Sequence, residues 1–286
     1  MIKLLLLAAA VAFSFPLQDN DTRPPISPTL ERSFLQHLRF SSAAACDQSL
    51  LQSWSCKWCS YPLVATTKVS TTFFNSKTAT KGYTAVHHES RSIIVAFRGT
   101  VDLAGVFQDM QFILKKAKTL FGDVLLHTGF LDAYISVRDN LLVDVDKLVQ
   151  QYPDHTVTFT GHSLGGALAI IAGLDYARQH PEHSVDVFAI TPPRVGNADF
   201  VHAVSHQGNL KTHRLMNSRD GISQMPPTWF GYRHVDDEYW IPQLGGKAVV
   251  CQPGEDPKCS AGAGLYALTY DLHNSMYGFK YEACSA

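Results

Sequence analysis

Residues 156–179 constrain the fold more than any other stretch of the chain. Thr156 to Thr160 is a run of β-branched and aromatic residues suited to a buried strand. Gly161-His162-Ser163-Leu164-Gly165 follows at once. Leu164 to Gln179 then reads as a helix rich in Ala, Leu and Ile, closed by His180-Pro181. A strand that becomes a helix across G-x-S-x-G makes a sharp bend with the serine at its tip. Gly161 and Gly165 fit because a Cβ at either place would collide with the neighbouring strand or helix. Gly166 and Ala167 extend that close contact. The bend also sets the N-terminus of a helix beneath Ser163, where free N–H groups and the helix dipole favour developing negative charge.

The rest of the chain supplies the sheet that such a unit needs. Lys81 to Val86 and Ser92 to Phe97 read as strands joined by a polar turn. Ile93 to Phe97 is continuously apolar, as expected of a strand covered on both faces. Val185 to Ile190, Lys211 to Met216 and Tyr239 to Ile241 are further short strands. Leu30 to Ala45 and Gly129 to Gln151 read as helices. In the second, Ile135, Leu142, Val145 and Val149 lie close to one face, and Tyr152-Pro153 ends it. Strands alternating with helices predict an α/β-hydrolase architecture, a mostly parallel central sheet flanked by helices. The chemistry of such sheets sits beyond the C-terminal ends of the strands.

The chain has 286 residues, 45% of them apolar, with no repeat or low-complexity linker. Residues 30–286 are therefore expected to form one domain. Net charge is −1 and dispersed, which argues against a nucleic-acid partner. Lys3, the apolar run Leu4 to Val11 and Ala10-Val11-Ala12 read as a signal peptide over residues 1–14, too short to span a bilayer. Residues 15–29 read as a leader or short pro-segment carrying the sequon Asn20-Asp21-Thr22. Secretion fits the six cysteines, an even number that suggests three disulfides. Two local pairs are natural, Cys56 with Cys59 and Cys251 with Cys259. That leaves Cys46 with Cys284, although fifteen connectivities remain open on spacing alone. A redox role for Cys56-Lys57-Trp58-Cys59 lacks the strand-then-helix setting such motifs occupy.

A serine hydroxyl needs an imidazole to take its proton and a carboxylate to orient that imidazole. In strand–turn–helix serine hydrolases the chain order is Ser, then Asp or Glu, then His. Asp175 falls within the helix leaving the bend, and Asp186 starts a strand at the wrong end. Asp220 follows strand 211–216 in a turn and is the expected acid. His213 lies inside a strand. His273, downstream of the aspartates Asp175, Asp186, Asp199, Asp220, Asp236 and Asp271, is the expected base, with His234 in reserve. His162 reads as a packing residue. The Leu164 N–H is the expected oxyanion donor. The histidines show no H-E-x-x-H spacing, so neither metal nor cofactor is expected.

Together these motifs resemble the fungal-type class 3 lipases, from about Leu30 to the C-terminus. Arg98-Gly99-Thr100 is similar to the family's R-G-[ST], His127-Thr128-Gly129-Phe130 to its H-x-G-F, and Gly161 to Gly166 to its G-H-S-L-G-G. Pro193 to Asn197 matches P-R-V-G-[ND], and Asp220 with Met225-Pro226-Pro227 matches the family's acid segment. The chain departs from the pattern at Asp102, at Thr191 and at Met276, where the family usually has Ser, Gly and Tyr. The resemblance implies the three bridges above and Thr100 as the second half of an oxyanion hole. It also implies a lid over 101–110, with apolar Val101, Leu103, Val106 and Phe107 against polar Asp102. It implies a secreted triacylglycerol lipase or related carboxylic ester hydrolase, acting as a monomer at a lipid–water interface. Feruloyl esterase, phospholipase A1 and an inactive lipid-binding relative are the alternatives.

Overall fold

The computed structural model describes residues 23–100, 111–263, 270–281 and 284. The expected signal peptide, most of the leader with Asn20, and the lid residues Val101, Asp102, Leu103, Val106 and Phe107 lie outside them. In chain order the elements are α1 (Pro28–Ala43), α2 (Gln48–Gln52), β1 (Thr67–Asn75), β2 (Thr80–His87), β3 (Ser92–Phe97), β4 (Leu114–Lys116), α3 (Lys118–Phe121) and β5 (Leu125–His127). There follow α4 (Thr128–Gln151), β6 (Thr156–His162), α5 (Leu164–Gln179), β7 (Val185–Ile190), α6 (Ala198–Ser205), β8 (Leu210–Asn217) and β9 (Glu238–Ile241). The chain closes with β10 (Val249–Val250), α7 (Tyr270–Asn274), β11 (Ser275–Met276) and β12 (Phe279–Lys280).

The main sheet has the order β1-β2-β3-β6-β7-β8-β9-β10. From β3 to β9 its neighbours run parallel, and antiparallel pairs close both edges. Successive side chains of a strand point to opposite faces, which explains the unbroken apolar runs. Ile93, Val95 and Phe97 join Val187 and Ala189 in the core shared with α4 and α5. Ile94 and Ala96 pack with Phe40 of α1, while Phe188 and Ile190 pack with Phe34 and Leu38. Each aliphatic side chain buried this way stabilises the fold by roughly 1.5–3 kcal/mol.

Local sequence sets the helix ends. Pro28 opens α1, and the Ser27 hydroxyl accepts the Leu30 N–H at 3.2 Å. Asn197 caps α6 by accepting the Phe200 N–H at 3.1 Å. In α4, Leu142, Val145 and Val149 are buried as expected, but Ile135 is 45% exposed. The buried stripe is centred on Tyr134, Val137, Leu141, Val145 and Leu148, and Ile135 lies off its edge. Cys46–Cys284, Cys56–Cys59 and Cys251–Cys259 are all bridged. The first spans 238 positions and ties the C-terminal segment to the end of α1. In a chain-entropy account a loop of that length stabilises by about 5 kcal/mol.

Candidate active site

The bend between β6 and α5 has the expected form. Ser163 takes φ 57° and ψ −124°, a left-handed backbone for a residue with a Cβ. Strain of this kind costs on the order of 1–3 kcal/mol and persists only where the surroundings enforce it. Here the Ser163 N–H donates to the Ile190 carbonyl at 2.9 Å, and the Gly166 N–H donates to the Ser163 carbonyl at 2.9 Å. Backbone crowding explains the flanking glycines. A Cβ on Gly161 would stand 2.1 Å from the Gly165 carbonyl carbon, and one on Gly165 would stand 2.3 Å from the Phe97 oxygen. Leu164 begins α5, so its amide is among those that have no acceptor within the helix.

Asp220 lies beyond the C-terminal end of β8. Its Oδ1 accepts the Ile222 N–H at 3.0 Å and the Ser223 N–H at 3.4 Å. Its Oδ2 accepts the His273 Nδ1–H at 2.7 Å. The Ser223 hydroxyl sits between that same oxygen and the Thr191 carbonyl. A proton on Nδ1 leaves His273 Nε2 as the basic nitrogen. Ser163 and His273 are fully buried, and neither Ser163 Oγ nor His273 Nε2 has a hydrogen-bond partner among the described residues. This is an acid–imidazole pair with its far nitrogen open, in the same buried end of the sheet as an open hydroxyl.

His162 does more than pack. Its Nε2–H donates to the His273 carbonyl at 3.0 Å, and its ring lies 4.7 Å from that of His273. Its other face stacks on Tyr281 at 4.1 Å. Burial, then the neighbouring His273, pushes the His162 pKa well below the ordinary imidazole value, so the ring stays neutral. Tyr281 in turn accepts the Gly99 N–H at 3.4 Å and donates its own N–H to the Asn274 carbonyl at 2.7 Å. Asn217, the last residue of β8, donates to the Leu272 and Ser275 carbonyls at 2.5 and 2.6 Å. The segment carrying His273 is thus braced from β6, from β8 and from the Gly99-Thr100 loop. The sequence offers His162 only as a packing residue and does not single out Asn217 or Tyr281. The proximity of His162 to Ser163 was the one available signal.

The reserve base, His234, stands behind the acid loop instead. Its Nε2–H donates to the Ser223 carbonyl at 2.9 Å, and its backbone N–H donates to Glu255. Arg194, of the P-R-V-G motif, donates to both Glu255 oxygens at 2.8 and 2.7 Å and to Gln224 Oε1 at 2.8 Å. Burial alone would raise the Glu255 pKa, but hydrogen bonds and charge from Arg194, with His234 beside it, hold it well below the usual carboxylate range. This pair fastens the loop that carries Asp220. Thr100 is half-buried in the loop after β3. Among the described residues, no group of His, Cys, Asp and Glu with metal-like spacing includes Asp220 or His273.

Residues 94–230 match the lipase (class 3) family. The lipase of Rhizopus niveus is 30% identical over 235 residues, covering 81% of this chain and 59% of that protein. The chain belongs to the fungal class 3 lipases. Secreted mono- and diacylglycerol lipase A of Penicillium camembertii is 34% identical over 165 residues, covering 57% of this chain and 52% of that protein. The matches thus span between half and three-fifths of the length of these two relatives. A solved triacylglycerol lipase, whose catalytic centre is described as a serine protease triad, superposes with a TM-score of 0.83. It is 27% identical and aligns over 91% of this chain and 99% of its own. In this class 3 lipase chain His273 lies beyond the family match at 94–230, so its pairing with Asp220 is read from geometry.

Proposed function

We propose that this class 3 lipase is a carboxylic ester hydrolase that cleaves acylglycerols through an acyl-enzyme on Ser163. The observation that carries the proposal is the 2.7 Å Asp220–His273 contact, with His273 Nε2 and Ser163 Oγ both buried and unpartnered among the described residues. Ser163 Oγ attacks the ester carbonyl as His273 Nε2 takes its proton. Asp220 fixes the Nδ1–H tautomer and stabilises the imidazolium. The oxyanion falls to the Leu164 N–H, at the start of α5, and to Thr100. One such donor contributes about 3–4 kcal/mol to transition-state stabilisation. The imidazolium then protonates the leaving alcohol, and water repeats the cycle on the acyl group.

Exposed apolar side chains support a lipid substrate. Trp229 is 73% exposed, Ile113 53% and Phe230 48%, and Phe230 meets Phe112 edge-on at 5.2 Å. Phe112 and Ile113 follow closely after the segment 101–110, for which the lid reading is retained. The expected signal peptide and the three disulfides support export, and among the described residues no helix is long and apolar enough to cross a membrane.

The experiment has two arms. An organophosphonate is expected to label Ser163 with loss of activity, and failure to label with and without detergent would favour a lipid-binding protein. Long-chain triglyceride, phospholipid and methyl ferulate are assayed in parallel. Turnover of ferulate alone would overturn the acylglycerol reading and leave the hydrolase in place.

A further inference from the structure

α5 ends in His180-Pro181-Glu182-His183, a turn that leads into β7. The helix is 16 residues long, so this turn lies about 24 Å from Ser163 along its axis. His180, Glu182 and His183 each offer a ligand atom, and these atoms all lie within 4.8 Å of one another. Glu182 Oε1 stands 3.7 Å from His180 Nδ1 and 3.4 Å from His183 Nε2. We propose that the turn binds a divalent transition metal of the Zn²⁺ type and acts as a clamp at the end of α5 remote from the active site.

Three observations carry this. The first is spacing. Zinc bonds of about 2.0–2.1 Å in a tetrahedron place ligand atoms about 3.3 Å apart. The two measured separations reach that value with movements of a few tenths of an ångström. The second is the outer partner. Metal-bound histidines give their other ring N–H to a carboxylate, which fixes ring and tautomer. His180 Nε2 lies 3.4 Å from Asp146 Oδ1 on α4, a half-exposed carboxylate that also faces the Tyr176 hydroxyl. Tyr176 stacks on the His180 ring at 4.2 Å and holds its plane.

The third is a backbone already in place. Asn209 Nδ2 reaches the carbonyls of Ala177, His180 and His183 at 3.1, 3.0 and 2.8 Å. The His183 N–H donates to the His180 carbonyl at 3.1 Å. Two imidazoles with one carboxylate suit zinc, copper or nickel better than calcium or magnesium. Three protein ligands leave one position for water. The ion would join the α5–β7 turn to α4 through His180 and Asp146.

The test uses the full chain, stripped with chelator, dialysed and titrated with ZnCl₂ at pH 7.5 by calorimetry. The expected result is saturable binding of one ion at this turn. His180→Ala and His183→Ala should each weaken it at least tenfold, and Asp146→Asn by about tenfold. At a hundredfold excess over Kd, Zn²⁺ should raise Tm by roughly 5 °C in the wild type and not in His183→Ala. Metal-free variants with the Tm of the metal-free wild type show that folding is intact. The exposed pair His202 and His206, stacked at 3.9 Å on α6 and its C-terminal end, is the competing chelator. A His202→Ala/His206→Ala variant should keep the binding. No saturable binding, or binding that survives His180→Ala with His183→Ala, overturns the proposal.

Discussion

Asp175 and Asp220 are both buried, 3% and 4% exposed, and both carboxylates are hydrogen-bonded on each oxygen. Asp175, on α5, takes Tyr134 Oη and Arg138 Nε at 2.6 Å each on Oδ2, and Arg138 Nη2 and Gln179 Nε2 on Oδ1. Every donor comes from α4 or from α5 itself. The network closes on itself and leaves nothing to offer a ligand. Asp220 takes two amides and the Ser223 hydroxyl of its own turn and the imidazole of His273, whose other nitrogen has no partner among the described residues. On the proposed mechanism, what separates the two buried carboxylates is that the group Asp220 orients has an open end.

The largest effects should separate the two carboxylates by kind. Ser163→Ala should abolish ester hydrolysis while the melting transition stays in place. Asp220→Asn should lower kcat by roughly 10⁴, the loss known for the same exchange in a serine protease triad. Asp175→Ala should do the opposite. It leaves the buried Tyr134 hydroxyl without its acceptor and leaves part-exposed Arg138 with Asp139 alone, and stranding a buried polar group costs about 1–3 kcal/mol. Urea unfolding should show that loss, while kcat per folded molecule stays within a few-fold of wild type. A large kcat defect in folded Asp175→Ala would erase the distinction.

A smaller effect tests whether the open end must also be held in position. His162→Ala removes the Nε2–H bond to the His273 carbonyl and the stack on Tyr281. We expect kcat on a soluble ester to fall about 10–100-fold with little change in KM, since a misplacement of about 1 Å can cost about 10². His162→Gln, which keeps an N–H donor, should recover part of that loss. Equal defects in both variants would point to packing alone.

These contrasts explain what could be read from the chain beforehand. The bend at Ser163 was legible because strand, glycines and helix are consecutive. The turn that carries Asp220 was legible because it follows a strand directly. Thr67–Asn75 was missed as a strand because it is an edge, rich in Thr and carrying an exposed Phe74, and such a strand shows little core-facing alternation. The eight-residue α6 was too short to show a period. The bracing roles of His162, Asn217 and Tyr281 were invisible for another reason. His162 reaches His273 across 111 positions and Asn217 reaches Leu272 across 55. Nothing local announces a contact that only the assembled sheet creates.

The smallest effect concerns imidazoles that are open yet idle. His37 and His213 lie on the α1 side of the sheet, and both stack on the Phe188 ring, at 3.9 and 4.5 Å. Each has an Nδ1 without a hydrogen-bond partner among the described residues, as His273 has at Nε2, but neither is bonded to a carboxylate. Burial, then the neighbouring His213 and His87, pushes the His37 pKa to about 3, and burial with Lys211 pushes His213 to about 4. Both values lie below the roughly 6.5 of an unfolded chain. The unfolded state then binds more protons as the medium is acidified, so stability present above about pH 6.5 is lost as pH falls towards 4 and then 3. His37→Phe keeps the stack and removes one such proton site. It should reduce the loss of unfolding free energy between pH 7 and pH 5 by about 1–2 kcal/mol, with the pH profile of kcat unchanged. An unaltered stability slope would mean that this imidazole is protonated alike in both states. A changed kcat profile would mean that the two faces of the sheet are coupled, and that enclosure alone does not keep an open nitrogen out of the chemistry.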